Sequence, residues 1–125
     1  MTQYQGPPIE GDENFLQRVL PPLTSLLSKS EKVLRGLPRD SWQHQRLVAN
    51  VRALRLSVQV LSGDIGATEI DPDARLETLN TLHLLCTQVE KVLDHFAPDS
   101  AQYALQRNRL NALRVAAQSL AASSP

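Results

Sequence analysis

His83 is the residue whose type best suits chemistry, because an exposed histidine on a helix can accept and pass on a phosphoryl group. Helical domains that relay phosphate in this way usually place a lysine and a small residue just after the histidine. Here the next residues are Leu84-Leu85-Cys86-Thr87, and none of them could complete a phosphate site. A single histidine without supporting geometry is a weak signal. Phosphotransfer centred on His83 is therefore an alternative function and not the first expectation.

Signatures of other catalytic and metal centres are missing from the sequence. No glutamate has a histidine three residues later, as carboxylate-bridged di-iron bundles require. The chain has one cysteine and neither a glycine-rich phosphate loop nor a Gly-x-Ser-x-Gly turn. That cysteine, Cys86, lies on an apolar stripe and is expected to behave as a small hydrophobic residue. The sequence thus predicts no enzyme activity, no metal, no cofactor and no small-molecule substrate.

An uneven distribution of charge suggests a second alternative, a regulator that binds nucleic acid. Helices two and four of the predicted fold carry many arginines and few acidic residues. These arginines are Arg46, Arg52, Arg55, Arg107, Arg109 and Arg114. The chain as a whole is neutral and only 4% aromatic, so its field is small and base stacking has little support. Nucleic acid is not the expected partner.

Helix two offers the most specific pattern, a second apolar stripe beside its main one. The stripe has spacings of four, three and four residues, which places its members on one side of a helix. The stripe and the two arginines next to it are Ala49, Arg52, Ala53, Arg55, Leu56 and Val60. Such a stripe either faces the interior of a bundle or docks another helix. We predict that these six residues bind a partner, either another protein or a second copy in a homodimer.

The sequence contains an internal duplication, and the fold that it encodes must position these residues. Residues 20–61 align without a gap onto residues 79–120, and 15 of the 42 aligned positions are identical. The matches cluster, for example Glu31-Lys32-Val33-Leu34 on Glu90-Lys91-Val92-Leu93. Two copies of one helical hairpin are therefore expected to pack against each other. Leu54 should occupy the same position as Leu113, and both should be buried.

Apolar spacing predicts four amphipathic helices, with short links inside each hairpin. The expected caps are Asp12 for helix one, Asp40 with Gln43 for helix two, Asp71 for helix three, and Asp99 with Gln102 for helix four. Pro21-Pro22 should interrupt the first helix, because each proline removes a backbone hydrogen bond; a break is the preferred expectation, and a kink in one long helix is the alternative. The fold class predicted is an all-α antiparallel four-helix bundle built from two tandem helical hairpins.

Length and composition set the remaining expectations. A chain of 125 residues makes one domain, with a bundle over residues 12–122 and flexible tails at 1–11 and 123–125. The hairpins should span residues 12–62 and 71–122. The single cysteine and the absence of long apolar runs favour a cytoplasmic protein without a membrane partner. The expected function is a non-enzymatic helical protein–protein interaction module, such as an adaptor, a chaperone, a regulatory protein or an assembly factor.

Overall fold

The computed structural model describes residues 13–122. This part of the chain forms four α-helices, α1 (Glu13–Arg35), α2 (Trp42–Leu61), α3 (Pro72–Leu93) and α4 (Ala101–Ala122), with a short 3₁₀ turn at Ala67–Glu69. The predicted all-α antiparallel four-helix bundle of two tandem hairpins is confirmed. The tails predicted at 1–11 and 123–125, and the cap predicted at Asp12, lie outside the described residues.

Each helix packs against two neighbours, as in a four-sided bundle. The hairpin partners α1 and α2, and likewise α3 and α4, pack closely, while α1 also contacts α4 and α2 contacts α3. A smaller contact joins α2 to α4 across the diagonal. Leucines that are fully buried fill the centre, namely Leu23, Leu54, Leu82, Leu113 and Leu120.

The structure repeats the sequence duplication in its packing. Leu54 and Leu113 are both 0% exposed, as predicted. Each hairpin also carries the same ion pair: Arg55 Nη2 lies 2.5 Å from Glu31 Oε2, and Arg114 Nη2 lies 2.8 Å from Glu90 Oε2. Because all four residues are substantially exposed, these pairs contribute little to stability. They show instead that the two hairpins have the same helix register.

The caps of α2 and α4 lie one residue later than predicted. Ser41 Oγ accepts a hydrogen bond from the His44 amide at 3.1 Å, and Ser100 Oγ accepts one from the Tyr103 amide at the same distance. The two hydroxyls also donate to backbone carbonyls of the preceding links. The capping boxes predicted at Asp40 and Asp99 are therefore wrong.

The start of α3 agrees with the prediction. The carboxylate of Asp71 accepts hydrogen bonds from the amides of Asp73 and Ala74, at 3.0 and 3.1 Å, and proline occupies the first turn. At the end of α2, Gly63 adopts a left-handed conformation with φ of 82°, which glycine tolerates without a Cβ clash. The link between the hairpins therefore has a defined beginning and end.

The predicted break at Pro21-Pro22 is wrong, because α1 runs without interruption from Glu13 to Arg35. Two prolines inside a helix remove two amide donors, at a cost of about 3 kcal/mol or more each. Val19 and Leu23, on either side of the pair, are 4% and 0% exposed. Their burial on one continuous face of α1 offsets the lost hydrogen bonds, so tertiary packing outweighs the local preference.

Candidate functional site

The second apolar stripe of α2 faces α3 and is only partly accessible. Ala53 is 1% exposed and belongs to the core, while Leu56 and Val60 are half-buried against that core. Ala49 is also half-buried, whereas Arg52 is exposed. The stripe is therefore not a continuous exposed seam, and its accessible part lies toward the start of α2.

Four of the six predicted residues meet in one shallow groove between α2 and α3, called the α2–α3 groove here. Its volume is about 220 Å³. The α2 wall consists of Ala49, Arg52, Ala53 and Leu56, and the α3 wall includes Glu77, Thr78 and Thr81. The other two predicted residues lie elsewhere: Arg55 pairs with Glu31, and Val60 does not line this groove.

A larger groove lies between α1 and α4, called the α1–α4 groove here, with a volume of about 780 Å³. Its apolar lining comes from Val19, Pro21, Pro22, Leu105, Ala112 and Val115. Amide side chains, those of Gln17, Asn108, Asn111 and Gln118, add polar groups to the same groove. Ser25 and the two arginines Arg18 and Arg114 complete the lining, so the groove combines apolar surface with polar and charged groups, as binding sites do.

The two grooves occupy equivalent positions in the repeat. Ala53 aligns with Ala112, and Leu56 aligns with Val115, and each pair lines its own groove. The stripe in the sequence of α4 is interrupted by Asn108, so sequence reasoning favoured α2 as the binding helix. Sequence alone could not show that the copy on α4 lines the wider groove, because the width depends on how α1 packs.

One end of the bundle is much less buried than the other. We call it the open end and define it as residues 31–50 and 90–108, which include both intra-hairpin links. None of these residues is buried, although several are large and apolar. The most exposed are Trp42 at 62%, Val33 at 49%, Leu105 at 46% and Val92 at 38%.

The arginines of α2 and α4 do not form a single basic face. The two helices lie diagonally opposite in the bundle, with α1 and α3 between them. Arg55 and Arg114 are each engaged by a glutamate. Arg109 is only 7% exposed, and its Nε has no hydrogen-bond partner within residues 13–122. The arginines named for the nucleic-acid hypothesis are therefore divided between two diagonal helices, and that hypothesis stays a prediction.

His83 is exposed and lies at a small cavity between α3 and α4. Arg114 and Gln118 of α4 line the same cavity, so the fold supplies a cation that the neighbouring sequence lacks. The guanidinium of Arg114 is, however, hydrogen-bonded to Glu90 at 2.8 Å. A carboxylate at this position would repel a phosphoryl group.

Cys86 lines the cavity beside His83 and is otherwise buried in the core. Burial raises the pKa of its thiol; the charge of Arg114 opposes this rise, and that of Glu90 adds to it. A protonated thiol is a poor nucleophile and a poor metal ligand. Cys86 therefore acts as a packing residue.

No cluster of three or more histidine, cysteine, aspartate or glutamate side chains within residues 13–122 could hold a metal ion. Among the four helices described, none combines the length and the apolar character needed to cross a membrane. The chain matches no known family, no curated protein and no solved structure at a significant level.

Proposed function

We propose that this chain is a non-enzymatic helical module that binds another protein in its α1–α4 groove. The observation that carries the proposal is the groove itself, which combines a volume of about 780 Å³ with an apolar lining and amide groups. Side chains from one face of an amphipathic helix fill a groove of this kind. Adaptors, chaperones, regulatory proteins and assembly factors all work by such docking.

The side chains of the groove support helix docking over catalysis. Val19 and Ala112 are almost fully buried, so they form a rigid floor, whereas Leu105 is 46% exposed and can be covered by a partner. Covering apolar surface is favourable by about 25 cal/mol for each Å² removed from water. Asn108 and Asn111 are exposed beside it and can pair with polar groups of the partner.

The test is co-purification of partners from the native host with wild-type protein and a Leu105→Asp variant. Because Leu105 is exposed, the change should leave the fold intact, which circular dichroism would check. We expect the specifically bound partner to be lost. Leu76→Asp is the matched control: Leu76 is 59% exposed on α3 and should tolerate the change without loss of the partner. Retention of every partner by Leu105→Asp would refute docking in this groove.

The residues first predicted on α2 remain a second docking site within the same proposal. Arg52 is exposed and lines the α2–α3 groove, so Arg52→Glu changes that groove without disturbing the core. Leu84, seven residues after Glu77 and therefore on almost the same side of α3, is 62% exposed. If Arg52→Glu or Leu84→Asp removes a partner that Leu105→Asp retains, docking occurs on the α2 side. Size-exclusion chromatography of the same variants would detect self-association. A homodimer formed through either groove would be lost in the variant that alters that groove.

Phosphotransfer is the second candidate function, because the cavity at His83 also contains Arg114 and Gln118. Incubation with acetyl phosphate and a phosphohistidine assay would detect it, with His83→Gln as the control. We expect no acid-labile phosphate on the wild-type protein. A cytoplasmic location goes with the proposed function, since a protein-binding module with one buried free cysteine suits a reducing compartment.

A further inference from the structure

Arg109 is the polar residue that the fold of the described chain leaves least satisfied. It is 7% exposed, and its Nε is buried without a hydrogen-bond partner. Arg55 and Arg114, which are equivalent in the two hairpins, pair with Glu31 and Glu90. Arg109 takes part in neither ion pair. A buried cation without a counter-charge is costly, and such groups are normally paired. The position of Arg109 therefore calls for an acidic group from outside the described residues 13–122.

Arg109 also lies at the inner boundary of the open end. The helical residues before it, from Ala101 to Asn108, are all half-buried or exposed, and buried residues begin with Arg109 itself. Side chains lean toward the N-terminus of their helix. Since α4 begins at the open end, the Cα–Cβ bond of Arg109 tilts toward that end.

The open end exposes apolar side chains that a bundle usually buries. Nine residues of α2, from Trp42 to Asn50, span about 13 Å of helix without one buried side chain. Large apolar groups are exposed here, with Trp42 at 62% and Val33 at 49%. Tryptophan and arginine are the residues on which protein interfaces most often depend.

The charges of the open end indicate which charge its partner should carry. The open end, residues 31–50 and 90–108, which Arg109 adjoins, contains the basic residues Lys32, Arg35, Arg39, Arg46, Lys91 and Arg107, and the acidic residues Glu31, Asp40, Glu90, Asp94 and Asp99. Glu31 and Glu90 are already paired with arginines outside this set. The first turns of α2 and α4 contain no acidic residue. The unpaired charge is therefore mainly positive.

We infer that the open end binds an acidic, amphipathic segment of the partner protein, and that a partner carboxylate pairs with Arg109. This inference rests on the proposed function and names the chemistry of the partner. Leu105 belongs both to the open end and to the α1–α4 groove, so one partner helix can cover both surfaces. The apolar side chains supply contact area, and the carboxylate supplies the charge that Arg109 lacks.

The experiment is a selection of displayed helical peptides, with random residues on one face, against the immobilised full-length protein. We expect the enriched peptides to carry aspartate or glutamate among apolar residues. Arg109→Met should weaken their binding by about tenfold or more, the range for a hydrogen bond to a charged group. Arg107→Met is the matched control: Arg107 is exposed on the same helix, and its loss should change binding less than about fivefold.

Thermal unfolding of the isolated variants gives an independent readout. Because Arg109 has no counter-charge within the described chain, Arg109→Met should melt at the same temperature as wild type or higher. A lower melting temperature would reveal an internal partner and overturn the inference, and Arg109→Lys, which keeps the charge, would then recover part of the loss.

The remaining outcomes separate this inference from the proposed function. If peptide binding depends on Leu105 but not on Arg109, the inference fails and the proposed function stands. The same holds if the enriched peptides bind through Leu105 but lack acidic residues. If no peptide binding depends on Leu105, the proposed function fails as well. If an oligonucleotide or a phosphatidylserine vesicle shows the Arg109 dependence and peptides do not, the partner is not a protein segment and the inference is overturned.

Discussion

Leu54 and Leu113 offer a quantitative test of the duplicated packing, because the repeat aligns them and both are 0% exposed. Replacing either leucine with alanine removes buried methyl groups and leaves a cavity, which costs about 2–5 kcal/mol. The neighbouring residues Ala53 and Ala112 are both 1% exposed, so the two environments are equally tight. We expect each variant to lose about 3 kcal/mol, with the two losses agreeing within about 1 kcal/mol.

The loss is large relative to the stability of a domain this size. Unfolding entropy of about 2.1 cal/mol/K per residue, over the 110 residues from 13 to 122, gives about 0.23 kcal/mol/K. A loss of 3 kcal/mol then lowers the melting temperature by about 13 °C. Total stabilities of small domains are about 5–15 kcal/mol, so each variant should keep about 2–12 kcal/mol and remain folded at room temperature.

Urea unfolding followed by far-UV circular dichroism measures the effect directly. The midpoint should fall while the slope stays unchanged, since the same surface is exposed on unfolding. Leu76→Ala is the control, because Leu76 is 59% exposed and should change stability by less than about 0.5 kcal/mol. Losses at Leu54 and Leu113 that differ by more than about 2 kcal/mol, or a loss below about 1 kcal/mol at either, would show that the hairpins are not packed equivalently.

Two further predictions concern the first cap and the buried thiol. Ser41→Ala should destabilise the protein by about 1 kcal/mol because Ser41 caps α2, whereas Asp40→Ala should change stability by less than about 0.5 kcal/mol; the reverse ranking in urea titrations would restore the capping box. Burial raises the pKa of Cys86, so iodoacetamide at pH 8 should label it slowly in the folded protein and rapidly in urea. Since the folded pKa is the higher one, the thiol's contribution to stability is complete below the ordinary pKa of about 8.5 and is lost as the pH rises through the folded pKa. Wild type should therefore lose stability relative to Cys86→Ala at high pH, and parallel pH profiles would contradict this.

The fold was predictable because the evidence for it is repeated along the chain. Two aligned hairpins with apolar stripes specify four helices, and short links require neighbouring helices to be antiparallel. The details that differed are local choices between near-equal alternatives. Serine and aspartate are comparable N-caps, so residue type could not decide between Asp40 and Ser41. The point at which the helix begins makes Ser41 the cap. At Pro21-Pro22, the free energy gained by burying Val19 and Leu23 exceeds the cost of the hydrogen bonds that the prolines remove. A prediction from local sequence includes that cost but not the burial.

The candidate site was harder to predict, because it depends on which helices are adjacent and how closely they pack. Ala53 and Leu56 line one groove of α2, as their spacing indicates, but their depth in the bundle follows from the position of α3, and their role in binding a partner stays a prediction. Charged residues are rarely fully buried, so residue type alone favours a surface position for Arg109. Its spacing from Leu113, Ala116 and Leu120 places it on the buried face of α4, and this was the available signal.

The difference in burial between the two ends of the bundle also sets the order in which its parts lose structure. Local opening requires the least free energy where few apolar contacts hold a segment, so the open end should fray before the rest unfolds. Leu23 and Leu82 at the middle of α1 and α3, and Leu120 near the end of α4, are fully buried, so we expect the rest of the bundle to stay packed during this opening. The open end is therefore expected to fluctuate in the free protein, and a partner of the proposed kind would order these helix ends as it binds.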